Sequence, residues 1–61
     1  MNSVLIVDDH PLIVEIVSAV ARKAFPGAAV RAANTLADAL EAAREEAPDL
    51  VLLDLGLPGC R

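Results

Sequence analysis

Three short apolar stretches along the chain predict three β-strands. Val4–Val7 and Leu50–Leu53 are continuous apolar runs, which are typical of strands covered on both faces of a sheet. Ala29–Ala33 is weaker, because small residues dominate it and Arg31 interrupts it. We therefore expect this second stretch to lie at an edge of the sheet.

The segment between the first two stretches predicts a helix. Pro11 suits its first turn, where a missing backbone N–H costs nothing, and Asp9 or His10 precedes it as a cap. Pro26 and the glycine after it end the helix. The expected apolar stripe comprises Ile13, Ile16, Val17, Val20 and Ala24.

A second helix is predicted between the second and third stretches. Asn34 or Thr35 can cap it, and Asp38 lies in its first turn, where an acid suits the helix dipole. Pro48 ends it. Its expected apolar stripe comprises Leu36, Leu40, Ala43 and Ala47.

The resulting order is β-α-β-α-β, which predicts an α/β fold with a parallel sheet and crossover helices. Right-handed crossovers, together with the burial expected of each strand, give the spatial order second, first, third. The two crossovers then run in opposite directions, so the helices are expected to cover opposite faces of the sheet.

Three acids follow the predicted strands at the positions where the strands end. Asp8 and Asp9 come directly after the first strand, and Asp54 comes directly after the third. Because parallel strands end at the same edge of a sheet, we expect these carboxylates to converge beside the point where the strand order reverses. Taken singly, the first two could be helix caps and the third an ordinary loop acid.

Converging carboxylates repel one another unless a proton or a cation neutralises them. Oxygen ligands favour Mg²⁺, and the lone imidazole of His10, expected to be a capping or loop residue, does not make a zinc site. An aspartate beside Mg²⁺ can accept a phosphoryl group. Asp54 stands alone at its strand end and is the expected acceptor. Asp8 and Asp9 would hold the metal, and the Gly56 carbonyl could join them.

Composition narrows the possible partners of the segment. The 61 residues carry a net charge of −4, which disfavours binding to nucleic acid or to an anionic membrane. No apolar run is long enough to span a bilayer, and no signal peptide is visible. The single cysteine, Cys60, cannot form an internal disulfide, so a reducing cytoplasm is the expected location.

Three other classes of phosphate-handling protein are disfavoured, because this sequence lacks the residues that each class requires. A dinucleotide-binding domain requires a glycine-rich turn after the first strand, where this chain has Asp-Asp-His-Pro. A P-loop hydrolase requires a Gly-Lys-Ser/Thr motif, which the sequence does not contain. An aspartyl phosphatase would carry a second Asp two positions after its nucleophile, where Gly56 stands.

The residues that carry these signals resemble a known family. VLIVDDHP followed by PDLVLLDLGLPG is similar to the first half of a response-regulator receiver domain, and the resemblance covers essentially all 61 residues. It implies a flavodoxin-like, doubly wound sheet and phosphorylation of Asp54 by the phosphohistidine of a sensor histidine kinase. It also implies Mg²⁺ bound by Asp9, Asp54 and the Gly56 carbonyl, with Asp8 acting largely through water.

The resemblance further implies that residues 1–61 are a partial receiver domain. Family members carry two more strands, with a Ser or Thr and a Lys at their ends, and these lie beyond the present segment. The Asp-Asp-His-Pro start is most similar to receivers of NarL/LuxR-type regulators, in which a separate helix-turn-helix output binds DNA. The alternative is a truncated interaction module that cannot be phosphorylated. We expect two chains to form a homodimer through the open edge of the third strand or through the uncovered helix faces.

Overall fold

The computed structural model describes residues 1–54 and contains one three-stranded sheet and two helices in this part of the chain. The elements are β1 (Ser3–Val7), α1 (Pro11–Ala24), β2 (Ala29–Ala33), α2 (Leu36–Glu45) and β3 (Leu50–Leu53). All pairings are parallel and the strand order is β2-β1-β3, which confirms the predicted α/β topology. Neither described helix is long and apolar enough to cross a membrane.

The central strand β1 forms the core of the molecule. The side chains of Val4–Val7 are each at most 2% exposed. Because side chains alternate along a strand, Leu5 clusters with Ala39 of α2 on one face, and Ile6 clusters with Ala21 of α1 on the other. The helices therefore cover opposite faces of the sheet, as the crossover argument predicted.

The apolar stripe predicted for α1 is wrong except at Val17. Ile13, Ile16 and Val20 are 44%, 54% and 62% exposed, and Ala24 is exposed as well. The inward face comprises Val14, Val17, Ser18, Ala21 and Phe25. Both sides of this helix carry apolar residues, and the small residues of the inward face allow the helix to approach the sheet closely.

The apolar stripe predicted for α2 is also wrong in part. Leu40 is 55% exposed, whereas Ala39 is buried and Ala42 packs against the same cluster. Of the other predicted residues, Leu36 and Ala43 are half-buried and Ala47 is exposed. The cause is the same as in α1, since alanines rather than leucines face the sheet and keep the layers close.

Polar contacts fix both ends of α2. The Oγ1 atom of Thr35 accepts a hydrogen bond from the Asp38 N–H at 3.1 Å, which confirms Thr35 as the cap. At the other end, Arg31 donates through Nη1 to the Ala42 carbonyl at 2.8 Å and through Nη2 to the Glu46 carbonyl at 2.7 Å. The residue that interrupts the β2 pattern therefore fastens the C-terminus of α2 to the sheet.

Asp49 joins the start of β3 to the start of β1. Its Oδ2 atom accepts hydrogen bonds from the backbone N–H groups of Asn2 at 2.7 Å and Ser3 at 3.0 Å. These bonds hold the pKa of Asp49 below its ordinary value of 3.8. The sequence alone does not reveal which N–H groups this carboxylate meets.

We predict that Asp49→Asn destabilises the chain at neutral pH and reduces its sensitivity to acid. Because the pKa of Asp49 is depressed in the folded state, the stabilisation is complete above the unfolded pKa of about 3.9 and is lost as the pH falls through the folded pKa. Urea midpoints of the wild type and the variant should differ at neutral pH and converge in acid. A difference that stays constant across this range would show that the carboxylate charge contributes nothing.

Candidate functional site

The candidate site lies where β1 and β3 end side by side. Val7 pairs with Leu53 in register, so the residues that follow, Asp8 and Asp54, occupy neighbouring positions. The Asp8 N–H donates to the Ala33 carbonyl at 3.0 Å, and the Asp54 N–H donates to the Val7 carbonyl at 2.9 Å. The hydrogen-bond ladder of the sheet thus fixes the backbone of both acids.

Four titratable side chains meet at this edge of the sheet. Asp8, Asp9, His10 and Asp54 each offer one ligand atom, and these atoms lie within 4.8 Å of one another. The side chain of Asp8 is the most buried at 11% exposed, whereas those of Asp54 and Asp9 are 29% and 40% exposed. The structure therefore brings together the three acids that the strand ends indicated, together with one imidazole.

His10 is the member of this group that the sequence interpretation underrated. Its Nδ1 atom lies 2.7 Å from Asp8 Oδ1, 3.0 Å from Asp9 Oδ1 and 3.5 Å from Asp54 Oδ2. It occupies the N-cap position of α1, but its side chain makes no capping hydrogen bond. The available signal was its position two residues after Asp8, which brings the ring back over the carboxylates.

The contacts between Asp8 and His10 shift the pKa of both groups. The backbone N–H of His10 donates to Asp8 Oδ1 at 2.9 Å and, with the ring contact, holds the pKa of Asp8 below its ordinary value despite burial. The hydrogen bond to Asp8, followed by the charge of Asp9, raises the pKa of His10. The contact between Asp8 and the His10 ring contributes to both shifts, because it favours the charged form of each group.

The donor set fits a hard divalent cation. Three carboxylates with oxygens this close together are the ligands that Mg²⁺ prefers, and waters would complete its octahedron. An open cavity beside the site is bordered by Asp8 and Asp54 and by the apolar side chains of Val17 and Leu53. Gly56, whose carbonyl was expected to join the ligands, lies outside the described residues, as does Cys60.

Known proteins are similar to this sequence over nearly its whole length. Residues 4–61 match the model of the response regulator receiver domain. The chain is 42% identical over 60 residues to the glycerol metabolism activator of Pseudomonas putida, covering 97% of this chain and 27% of that protein. It is 45% identical over 58 residues to the transcriptional regulatory protein KdpE of Mycobacterium tuberculosis, covering 95% and 25%.

A further relative is the transcriptional activator protein ExaE of Pseudomonas putida, which is 39% identical over 56 residues. The match covers 92% of this chain and 26% of that protein, so the chain spans about a quarter of the length of the curated relatives described. No solved structure gives a significant match. The family match covers nearly all of the sequence, and the strand order and clustered acids agree with it. The chain therefore belongs to the response regulator receiver domain family.

Proposed function

We propose that this segment accepts a phosphoryl group on Asp54 from a sensor histidine kinase in a two-component signalling system. The observation that carries the proposal is the convergence of Asp8, Asp9 and Asp54 within 4.8 Å, in a chain of the receiver family. Acids that served only as helix caps would not need partners from a strand more than forty residues away. Clustered carboxylates repel one another, so their close approach favours a role in binding a cation.

In the proposed reaction, a carboxylate oxygen of Asp54 attacks the phosphorus atom of the kinase phosphohistidine. The new O–P bond forms as the P–N bond breaks, and the departing imidazole takes a proton from solvent. The side chain of Asp54 is 29% exposed, so a donor can reach it, whereas Asp8 at 11% is less accessible. The product is an aspartyl phosphate on Asp54.

The same acids would hold the metal. We assign Mg²⁺ to Asp9 and Asp54 as direct ligands, with Asp8 acting largely through water, and we include the Gly56 carbonyl on the basis of the family resemblance. When bound, the ion supplies positive charge that offsets the repulsion among the carboxylates and the charge on the phosphoryl oxygens. The protein residues supply position, because the sheet fixes the backbone of Asp8 and Asp54.

The relatives support a proposal for the role of the whole protein. They include a transcriptional activator and a transcriptional regulatory protein, which supports a DNA-binding output in the part of the protein outside this segment. The Asp-Asp-His-Pro start favours an output of the NarL/LuxR type. With a net charge of −4, the present segment is not itself suited to contact DNA. Phosphorylation of Asp54 would act as a signal, so the segment is a phosphoacceptor rather than a conventional enzyme.

Incubation with acetyl phosphate and Mg²⁺ tests the proposal. The intact mass should rise by one phosphoryl group, and peptide mapping should locate the modification on Asp54. Omitting Mg²⁺ should suppress the reaction. A chain that gains no phosphoryl group would instead favour the interaction-module alternative for this segment.

A second candidate role, self-association, is favoured by the edge of β3. Val51, Leu52 and Leu53 are 47%, 36% and 44% exposed, and within residues 1–54 the strand pairs only with β1. We propose that two chains join their β3 edges about a two-fold axis, forming one six-stranded sheet. Light scattering at micromolar concentration should report the mass of a dimer, and a folded monomer would contradict this role.

A further inference from the structure

We propose that His10 supplies a nitrogen ligand to the acidic site and shifts its metal preference from Mg²⁺ towards late divalent transition metals such as Ni²⁺. This inference rests on the proposed metal-binding role of Asp9 and Asp54 and adds a ligand to that set. It concerns which cation the site selects, not whether Asp54 accepts a phosphoryl group.

The position of the His10 ring suits a metal ligand. The Nδ1 atom of His10 lies 2.7, 3.0 and 3.5 Å from oxygens of Asp8, Asp9 and Asp54, respectively. Neighbouring ligand atoms of an octahedral ion with bonds of about 2.1 Å lie about 3.0 Å apart. The ring nitrogen is therefore near ligand spacing from all three carboxylates, and a bound metal would take the place of the proton between Nδ1 and Asp8.

The donor atom of His10 also distinguishes between metals. Imidazole nitrogen suits Ni²⁺, Cu²⁺ and Zn²⁺, whereas Mg²⁺ prefers oxygen and retains bound waters. A late transition metal thus gains a strong bond from His10. Mg²⁺ gains none, and it must also compete with the ring for the carboxylate oxygens that the ring contacts. The His10 side chain therefore raises the affinity for the late transition metal relative to the affinity for Mg²⁺.

The ring of His10 contacts the carboxylates of the site, so its replacement changes the charge balance there and not the hydrogen bonds of the sheet or of α1. Its side chain is 64% exposed and makes no capping bond to α1. It is also the only histidine in the sequence, so no other imidazole can account for Ni²⁺ binding. The single thiol, that of Cys60, is the other side chain able to bind Ni²⁺ as a thiolate, and Cys60→Ser removes it.

The test compares His10→Ala with the His10 chain, both in a Cys60→Ser background, by calorimetric titration with NiCl₂ and, separately, MgCl₂ at one fixed pH. We expect the Ni²⁺ affinity to fall by about tenfold or more, as for loss of a well-placed metal partner. The Mg²⁺ affinity should stay the same or rise. Asp9→Asn is the matched control, since it should weaken binding of both metals. Circular dichroism checks that every variant is folded.

An Ni²⁺-to-Mg²⁺ affinity ratio that is equal in the two chains would overturn the inference, whether both affinities are unchanged or both fall equally. A chain that binds neither metal would also overturn it. The phosphoryl acceptance proposed for Asp54 is measured separately, with acetyl phosphate and Mg²⁺ on the same samples. Modification of Asp54 together with an unchanged ratio would refute the role of His10 and leave the proposed function standing.

Discussion

Asp54→Asn is expected to abolish phosphoryl incorporation while leaving the chain, without Mg²⁺, at least as stable as the wild type. The amide has no carboxylate oxygen with which to attack phosphorus. It also removes one of three negative charges that lie within a few ångströms, so repulsion decreases. The backbone N–H that donates to the Val7 carbonyl is unchanged. Intact mass after treatment with acetyl phosphate and a urea titration measure the two effects.

Asp38→Asn is the matched control for this substitution. Asp38 is an exposed acid in the first turn of α2 and lies outside the cluster, so its variant should accept a phosphoryl group normally. If Asp54→Asn still gains a phosphoryl group, the acceptor is a residue other than Asp54. An unfolded Asp54→Asn chain would mean that the carboxylate has a structural role beyond the proposed one.

Arg31→Met is expected to give the largest loss of stability among exposed or half-buried positions, about 2–3 kcal/mol. Arg31 donates to the Ala42 and Glu46 carbonyls and, at 3.2 Å, to the hydroxyl of Ser3. The last carbonyls of a helix have few intrahelical donors, and here a guanidinium serves two carbonyls at this end, of which that of Ala42 also accepts from the Glu46 N–H at 3.1 Å. Methionine fills a similar volume without any donor, so each of these acceptors loses the guanidinium and the Ala42 carbonyl keeps only the Glu46 N–H.

The matched control is Arg44→Met, which removes an exposed guanidinium from the last turn of the same helix. Its cost should lie within about 0.5 kcal/mol of zero, as is usual for surface substitutions. Chemical denaturation of both variants provides the comparison. Equal costs at the two positions would mean that the contacts of Arg31 with α2 contribute little to the fold.

The strands and their order were predictable because their signals are local. Apolar runs, prolines and glycine mark the elements, and the weakness of Ala29–Ala33 placed it at an edge. The inward faces of the helices were not predictable in the same way. Apolar residues surround much of α1, and only packing against β1 selects Ser18 and Ala21 over the larger Ile16 and Val20.

In the candidate site, too, some residues could be predicted from local sequence and others could not. Asp8, Asp9 and Asp54 could be expected to converge because each follows a strand end, and sheet topology alone determines that placement. The roles of His10 and Arg31 depend on side-chain direction, which the spacing of His10 from Asp8 only suggests and which no pattern near Arg31 indicates. The partners of Arg31 on α2 lie 11 and 15 residues away, beyond any pattern within β2.

The central claim is that the ends of β1 and β3 form one metal site, and paramagnetic NMR tests it most directly. Mn²⁺ accepts the oxygen ligands that Mg²⁺ accepts and broadens the signals of nearby amides. Substoichiometric Mn²⁺ added to the ¹⁵N-labelled chain should broaden the amides of residues 8–10 and of Asp54 together, while that of Ser3 stays sharp. Broadening of residues 8–10 alone, with Asp54 unaffected at the same Mn²⁺ concentration, would contradict the claim.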